Sequence, residues 1–346
     1  MKGLKMGSGT SISNHAWSKE ELVHALTDGD GREFSEKADL LREEVCGNAV
    51  HRRGLIEFSN YCARNCHYCG LRRDNAKLPR YRMSEEEIVA AAQNAKKLGY
   101  RTVVLQSGED GAFKTGVLCR VVEKIKQKTN LAITLSVGEK TKEEFRQLKN
   151  AGSDRYLMRF ETSNPELYAR LRPGNSLEKR LEGLERLREL GYQVGSGCMV
   201  GLPGQTPEDL AGDLLLMKKM DLDMVGVGPF IPHPETPLKD SPQGDLKLTL
   251  KFLGLVRLVT KNTHIPATTA LGSIHPFGRQ MALQGGANVI MPNVTPEKYR
   301  KLYEIYPNKI CITEKPSDCA GCVGSLIHSL GRKIARDFGH SLKQKV

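Results

Sequence analysis

Long apolar runs are missing from this sequence, and aromatic residues are scarce. Phe, Trp and Tyr make up 6% of the 346 residues, with a single tryptophan. A membrane-spanning helix needs about 20 consecutive apolar residues, and no stretch of the chain approaches that length. The first 17 residues are rich in glycine and serine and contain no apolar run of the kind found in secretory signals. These absences predict a cytoplasmic protein with no membrane partner.

Acidic residues are also in the minority. The chain has 40 Asp and Glu against 52 Lys and Arg, a formal net charge of +12. Such an excess fits a nucleic-acid partner, an acidic partner or simply a basic surface. The basic pairs Arg52-Arg53, Arg72-Arg73 and Lys96-Lys97 are scattered, and few aromatic residues accompany them. We therefore predict no nucleic-acid partner.

The order of elements predicts an α/β fold. From residue 51 onward, short β-branched runs alternate with longer amphipathic segments, which gives eight strands that are each followed by a helix. The predicted strands are Leu55–Phe58, Thr102–Gln106, Ala132–Ser136, Arg155–Phe160, Gln193–Val200, Met224–Val227, Ile265–Thr269 and Asn288–Met291. This succession favours a (β/α)8 TIM-type barrel, with a doubly wound sheet as the alternative.

The barrel is expected to lie between two extensions. We divide the chain into an N-terminal helical extension (1–50), the barrel (51–303) and a C-terminal extension (304–346). The predicted helices are Ser18–Ala25, Ser35–Cys46, Ser84–Leu98, Gly116–Lys128, Thr141–Asn150, Leu177–Leu190, Thr206–Met220, Leu246–Thr260, His275–Leu283 and Pro296–Tyr303. In either candidate fold, ligands bind at the carboxyl ends of the parallel strands, so the residues that follow each strand are the candidates for chemistry.

Three cysteines directly follow the first predicted strand. Cys62, Cys66 and Cys69 have the spacing C-x3-C-x2-C, and three soft thiolates fit an iron–sulfur cluster. On a cluster of four irons they leave one iron open to a small molecule. The alternative is a zinc loop completed by His67 or a distant residue, although structural zinc usually has four closed ligands.

This loop, with Tyr68 immediately before its last cysteine, resembles the radical S-adenosylmethionine (SAM) superfamily. The resemblance implies a [4Fe–4S] cluster bound by the three cysteines, with SAM cleaved reductively to a 5′-deoxyadenosyl radical. It also implies a SAM-binding set drawn from the strand ends. The expected members are Tyr68, Ser107, Gly108, Glu109, Ser136, Glu161, Arg180 and Met199.

Longer segments resemble the HydE family of [FeFe]-hydrogenase maturases. They are residues 60–75, 106–110, 199–206, 228–234 and 265–270. This resemblance implies an iron-bound cysteine substrate supplied by HydG, assembly on HydF and an external electron donor. Biotin synthase needs cysteines on several barrel strands, and here only Cys198 is available. Methylornithine synthase remains an alternative, in which the enzyme is a mutase of a free amino acid. A zinc- or cluster-binding nucleic-acid module is the alternative from another class.

Polar residues at the strand ends are expected to line a closed reaction chamber, because a radical must be kept from water. The candidate substrate residues are Gln106, Thr134, Arg155, Arg159, Thr268, Thr269, Met291 and Tyr303. Arg155 and Arg159 are four apart on one strand, so both should face the same side. They form an anion-binding pair if that side is the interior, and outer ion pairs otherwise.

A second group of cysteines lies beyond the last predicted strand. Cys311, Cys319 and Cys322 have the spacing C-x7-C-x2-C. The resemblance to HydE implies an accessory iron–sulfur cluster at these three thiols, as found in some members of that family. The alternatives are free thiols or a zinc site completed by His328.

Overall fold

The computed structural model describes residues 15–343, so the first 14 residues of the predicted N-terminal extension lie outside it. Strands and helices alternate along most of its length. The strands are β1 Ala49–Ser59, β2 Thr102–Ser107, β3 Ala132–Ser136, β4 Arg155–Leu157, β5 Gln193–Ser196, β6 Met199–Val200, β7 Met224–Val225, β8 Gly228–Pro229, β9 Pro266–Ala267, β10 Val289–Ile290 and β11 Lys333–Ile334.

The helices follow the strands in the expected rhythm. They are α1 Lys19–Thr27, α2 Gly31–Cys46, α3 Glu85–Lys97, α4 Thr115–Thr129, α5 Lys142–Asn150, α6 Pro165–Leu171, α7 Leu177–Glu189, α8 Pro207–Lys219, α9 Leu246–Thr260, α10 Thr269–Ile274, α11 Gly278–Gln284, α12 Glu297–Arg300 and α13 Pro316–Ser329. In the described residues, no helix is long and apolar enough to cross a membrane.

Eight parallel strands form the wall of a nearly closed barrel within residues 15–343. Their spatial order is β7-β5-β4-β3-β2-β1-β10-β9. A bridge between Met224 and His264 links the two edges of this sheet. Neighbours in the sheet follow the order of the chain, and no strand order reverses as it would in a doubly wound sheet. The predicted (β/α)8 barrel is therefore confirmed.

Two predicted strands are interrupted by glycines that face each other. At Gly197, φ is 149°, and a Cβ there would lie 1.9 Å from the carbonyl oxygen of Gly226. The backbones of the fifth and sixth barrel strands therefore approach too closely for any side chain. Beyond this point the chain resumes pairing as the short β6–β8 ladder, in which Met199 pairs with Gly228.

Side-chain caps explain why several helices begin where the sequence predicted. Ser18, Ser84, Thr141 and Thr206 each form a capping box with an acidic residue three positions later. The helix predicted over His275–Leu283 forms as α11, but it begins three residues later, at Gly278. A short helix that was not predicted, α10, precedes it and ends before Pro276, which has no N–H to continue a helix.

The amino end of the barrel is covered by the C-terminal segment. Strand β11 pairs with the start of β1, with Ala49 opposite Lys333. The chain then crosses beneath the barrel, where the carbonyl oxygens of Phe338 and Gly339 accept hydrogen bonds from Arg155 at 2.8 and 2.9 Å. The three-part division of the chain stays a prediction, but residues 333–341 pack as part of the barrel.

Candidate functional site

A cavity of about 330 Å³ opens at the carboxyl end of the barrel. The three cysteines of the first group lie in its wall, and residues from most of the barrel strands complete it. Its lining includes, from the sequence-predicted residues, Cys62, Cys66, Tyr68, Cys69, Gln106, Ser107, Gly108, Glu109, Ser136, Arg159, Glu161, Arg180, Met199, Thr268, Thr269, Met291 and Tyr303. Residues far apart in the chain therefore meet around one space.

Arg155 and Thr134 do not line this cavity, so their predicted contact with substrate is wrong for this structure. Arg155 is 3% exposed and lies at the opposite end of the barrel, bonded to the C-terminal segment. Thr134 pairs with Arg155 in the sheet and lies below the cavity, two residues before Ser136. Arg155 and Arg159 share the interior side, as their spacing predicts, but they occupy different levels of the barrel. They cannot form a single anion-binding pair.

The cysteine loop, residues 60–82, is held by its own polar residues. Arg80 donates hydrogen bonds to the carbonyl oxygens of Asn60, Leu71, Arg72 and Asn75 at 2.6–3.1 Å. These four bonds tie the two ends of the loop together. The thiols are therefore presented by a backbone that is fixed before any ligand binds.

The segment after β2 packs directly on the cysteine loop. A Cβ at Gly108 would lie 2.2 Å from the carbonyl oxygen of Tyr61 and 2.8 Å from Cβ of Cys62. Next to it, the backbone N–H of Glu109 donates to Sγ of Cys62 at 3.4 Å, as does the N–H of Arg64. Only glycine lets the two segments come this close.

We expect Gly108→Ala to disturb the cysteine loop. The added methyl group meets backbone atoms that cannot rotate away, and overpacking of this kind costs about 1–3 kcal/mol. Urea unfolding of the metal-free protein should show this loss, and iron retained after reconstitution should fall. The control is Gly116→Ala at the exposed start of α4, where a Cβ meets nothing within 4 Å. That change should be neutral or stabilising, and equal losses in the two variants would contradict the account.

The donor set of the cavity fits a cluster with several irons. Burial raises the pKa of the Cys62 and Cys69 thiols, so they need a cationic partner to be held as thiolates. Cys62, Cys66 and Cys69 all line the one cavity, and cysteine thiolates are the ligands that hold iron–sulfur clusters.

A partly buried ion network lies beside the thiols. Glu109 contacts Arg64 at 2.6 Å, Arg172 at 3.5 Å and Arg180 at 3.7 Å. Glu139 binds Arg64 at 2.9 Å and Arg180 at 3.1 Å. Arg180 is thus a buried guanidinium between two carboxylates. Sequence analysis did not identify Arg64, Arg172 or Glu139, because nothing in the spacing of these residues shows that they meet.

Glu161 occupies a strained backbone position at the rim of the cavity. Its φ is 67°, in the left-handed region that residues other than glycine rarely adopt. Its carboxylate accepts a hydrogen bond from Oη of Tyr68 at 3.4 Å and contacts Nε of Arg159 at 3.1 Å. Asp213, whose pKa burial raises to about 7, accepts the N–H of Ser163 and so helps to hold this turn.

The deeper part of the cavity contains a second set of polar groups that sequence analysis missed. Glu57 and Lys309 form an ion pair, and they are 1% and 7% exposed. Asn293 also donates to Glu57, at 2.9 Å. In the same cavity, Oγ1 of Thr268 is buried without a hydrogen-bond partner among the described residues. A buried hydroxyl that is left unpaired and faces a cavity is available to a ligand.

The second cysteine group is only partly assembled. Cys319 donates a hydrogen bond to Cys311, and together with Arg279 this lowers the pKa of Cys311 to about 6. Arg279 Nη2 lies 3.9 Å from the Cys311 sulfur. Cys322, one turn further along α13, is exposed. In the described part of the chain these thiols do not form a group of three that could hold a metal ion.

Comparisons with known proteins agree with this geometry. The family model of the radical SAM superfamily matches residues 56–217, which include the cysteine loop and every predicted SAM-binding residue. The [FeFe] hydrogenase maturase subunit HydE of Thermotoga maritima is 52% identical over 95% of each chain.

The chain is also similar to methylornithine synthases, in sequence and in fold. The 3-methylornithine synthase of Methanosarcina acetivorans is 30% identical over 78% of each chain. The crystal structure of methylornithine synthase (PylB) superposes with a TM-score of 0.82 at 26% identity, and it covers 94% of this chain and 96% of that one.

Proposed function

Because this chain belongs to the HydE family of the radical SAM superfamily, we propose that it generates a 5′-deoxyadenosyl radical and uses it in assembling the [FeFe]-hydrogenase active site. The observation that carries the proposal is that Cys62, Cys66 and Cys69 line one cavity with several charged side chains at the carboxyl end of the barrel. We propose that this radical chemistry takes place in the cytoplasm.

Cys62, Cys66 and Cys69 are the residues that hold a [4Fe–4S] cluster on this proposal. With the cluster and SAM bound, the site supplies a 5′-deoxyadenosyl radical by one-electron cleavage of the sulfonium. The two N–H···S hydrogen bonds to Cys62, from Arg64 and Glu109, stabilise its thiolate. They hold its sulfur in place before the ligand arrives.

The charged residues around the thiols suit a zwitterionic ligand such as SAM. Glu161 offers a carboxylate to an ammonium or a ribose hydroxyl, and Arg180 offers a guanidinium to a carboxylate. In the present arrangement Arg180 is paired with Glu109 and Glu139. We infer that these carboxylates keep Arg180 oriented and buried. Tyr68, Ser107, Gly108, Ser136 and Met199 complete the wall on this side.

The deeper chamber is proposed to hold the substrate. An anionic, cysteine-containing iron complex made by HydG suits the guanidinium of Arg159 and the unpaired hydroxyl of Thr268. Gln106, Thr269, Met291 and Tyr303 are the other proposed contacts, and Gln106 already donates to Oη of Tyr303 at 3.2 Å. We propose HydF as the acceptor of the product.

The Cys311, Cys319 and Cys322 group is proposed as an accessory iron–sulfur site. The hydrogen bond between Cys311 and Cys319 supports this assignment, since two of the thiols already lie in contact. Cys322 shares the same helix three residues after Cys319. Its side chain must turn inward for all three to bind one cluster.

A second candidate function is rearrangement of a free amino acid. The 30% identity to 3-methylornithine synthase and the TM-score of 0.82 with the PylB structure favour it as the alternative. The buried Glu57–Lys309 pair also offers one charge of each sign to an amino acid.

Maturation of apo-hydrogenase in vitro distinguishes the two candidates. We expect hydrogenase activity when reconstituted protein is supplied with HydG, HydF, SAM and a reductant. Omission of this protein should remove that activity. Arg159→Met should lower maturation more than it lowers unproductive SAM cleavage, because Arg159 is assigned to the substrate and reaches SAM only through its contact with Glu161. Rearrangement of a free amino acid to 3-methylornithine without the other maturases, and no effect on hydrogenase, would contradict the proposal.

A further inference from the structure

Arg172 is a buried arginine that lines the cavity beside the thiols. It directly follows α6 and is 5% exposed. Its backbone N–H donates to the carbonyl of Tyr168 at 2.9 Å, and the carbonyl of Leu171 accepts the N–H of His67 at 2.9 Å. The end of α6 is therefore attached to the cysteine loop at the residue that follows Cys66.

The guanidinium of Arg172 holds the aromatic residue of the cysteine loop. Its Nη1 donates to Oη of Tyr68 at 3.3 Å, and Oη of Tyr68 donates in turn to the carboxylate of Glu161 at 3.4 Å. The three side chains form one hydrogen-bonded chain along the wall of the cavity. Because connected hydrogen bonds of this kind restrict the groups that make them, Arg172 helps to place Tyr68 and, through it, Glu161.

Arg172 also adds to an excess of positive charge beside the thiols. The ion network there contains three guanidinium groups and two carboxylates. Its members are Arg64, Arg172, Arg180, Glu109 and Glu139. Glu109 is 2.6 Å from Arg64 but 3.5 Å from Arg172, so the carboxylate that Arg172 contacts is shared with a closer cation. The network as a whole therefore carries one positive charge more than its carboxylates neutralise.

The hydrogen-bonding capacity of Arg172 is not exhausted by these contacts. Its Nε is buried without a hydrogen-bond partner among residues 15–343, and its charge acts on the thiol of Cys66. A nearby cation favours the more negative state of a group, and the effect is larger where water is excluded. A redox group held by the cysteines becomes more negative when it is reduced, so Arg172 favours its reduced form.

We propose that Arg172 is a positioning residue that raises the reduction potential of the group held by the three cysteines and fixes Tyr68 against Glu161. The proposal rests on the proposed function, since it requires a redox group at the thiols. On reduction, one electron passes from an external reductant, which is oxidised, to the iron–sulfur cluster, which is reduced. Arg172 stays protonated, and no bond forms or breaks in this step. Net charge is among the factors that set the potential of such a cluster.

The first test measures the midpoint potential of the reconstituted protein without SAM, by anaerobic dye-mediated titration followed by EPR spectroscopy. Arg172→Met removes the charge and should shift the equilibrium toward the oxidised form about tenfold or more, which lowers the potential of a one-electron couple by about 59 mV or more. Arg172→Lys keeps the charge and should stay close to wild type. The matched control is Arg170→Met, whose exposed guanidinium donates to the carbonyl of Pro203 at 2.7 Å. Its charge is screened by solvent, so the potential should not change.

The second test separates the placement of Tyr68 from the charge, through the steady-state kinetics of SAM cleavage. Lysine lacks the planar fork with which one guanidinium contacts Tyr68 and Glu109 together. Arg172→Lys should therefore raise the KM for SAM severalfold while the potential is retained. Tyr68→Phe removes the hydroxyl between Arg172 and Glu161, and it should raise KM in the same way without moving the potential. An unchanged KM in both variants would overturn the positioning role.

The potentials decide the electrostatic role. An Arg172→Met protein with full iron content and an unchanged potential would overturn the proposal, as would equal shifts in Arg172→Met and Arg170→Met. If Arg172→Met does not retain the cluster, Arg172→Gln, which keeps N–H donors without the charge, is titrated instead. Loss of iron in both neutral variants would mean that Arg172 only holds the cysteine loop, and would also overturn the proposal. A wild-type protein that binds no iron–sulfur cluster would instead contradict the proposed function.

Discussion

Replacing Cys66 with alanine is expected to abolish iron–sulfur binding and, with it, cleavage of SAM. Three thiols hold the proposed cluster, and removing one leaves too few ligands to retain it. The loss should exceed the roughly 10–100-fold that follows when a residue that merely orients a metal ligand is removed. Bound iron and visible absorbance after reconstitution report the binding, and chromatography of 5′-deoxyadenosine reports the activity.

The matched control is Cys119→Ala. Cys119 is a half-buried thiol on α4, outside both cysteine groups, so the same chemical change there should leave iron content and activity near wild type. Full iron content in Cys66→Ala would contradict the assignment of this thiol. A similar loss in Cys119→Ala would show that the effect comes from general damage to the protein.

Removing the C-terminal segment after Arg336 is expected to destabilise the barrel strongly. Arg155 and Arg53 are 3% and 1% exposed, and the carbonyl oxygens of Phe338 and Gly339 are acceptors for their guanidinium groups. Burial lowers the pKa of Arg155 to about 10, which shows the cost of keeping it charged there. Loss of these acceptors should reduce the free energy of unfolding by about 3–5 kcal/mol. For a chain of this length that lowers the melting temperature by roughly 4–7 °C.

A double-mutant cycle separates this effect from other consequences of shortening the chain. In an Arg155→Met background the buried cation is already gone, so the same truncation should cost distinctly less. The four proteins are the full-length and truncated chains, each with arginine or methionine at position 155. Their thermal unfolding gives the coupling energy between the segment and Arg155. Additive effects would mean that the segment does not act through Arg155.

The fold could be predicted because its local signals agree with one another. Serine or threonine caps with acidic residues three positions later marked helix starts, and β-branched runs marked the strands. The split of the fifth strand could not be predicted, because it depends on the approach of Gly197 to Gly226 from another strand. A glycine inside a strand pattern is a signal of this kind, but its partner is fixed only by the tertiary fold.

The cysteine loop could be predicted because its three cysteines lie close together in the sequence, at a spacing typical of a cluster-binding loop. Arg155 was misplaced for the opposite reason. Period-two alternation gives the side of a strand on which a residue lies, but not its height along the barrel axis. The Arg155 side chain meets the C-terminal segment instead of the cavity. Arg159, four residues further along the chain and beyond the end of β4, reaches the cavity.

The Glu57–Lys309 pair was missed, although one half of it carried a signal. Glu57 is the one acidic residue of the predicted first strand, Leu55–Phe58, which is otherwise apolar. It lies two positions after the inward-facing Leu55, and an unpaired buried carboxylate would be costly. Such a residue indicates a buried partner. Lys309 lies 252 positions away, in a segment with no regular pattern, so its role became visible only with the fold.

The most direct test of the central claim is anaerobic reconstitution of the wild-type protein with iron and sulfide, reduction by dithionite, and chromatographic measurement of 5′-deoxyadenosine formed from SAM. We predict 5′-deoxyadenosine and methionine in equal amounts, with none formed when reductant is left out. A fully reconstituted and reduced protein that forms no 5′-deoxyadenosine would contradict the account.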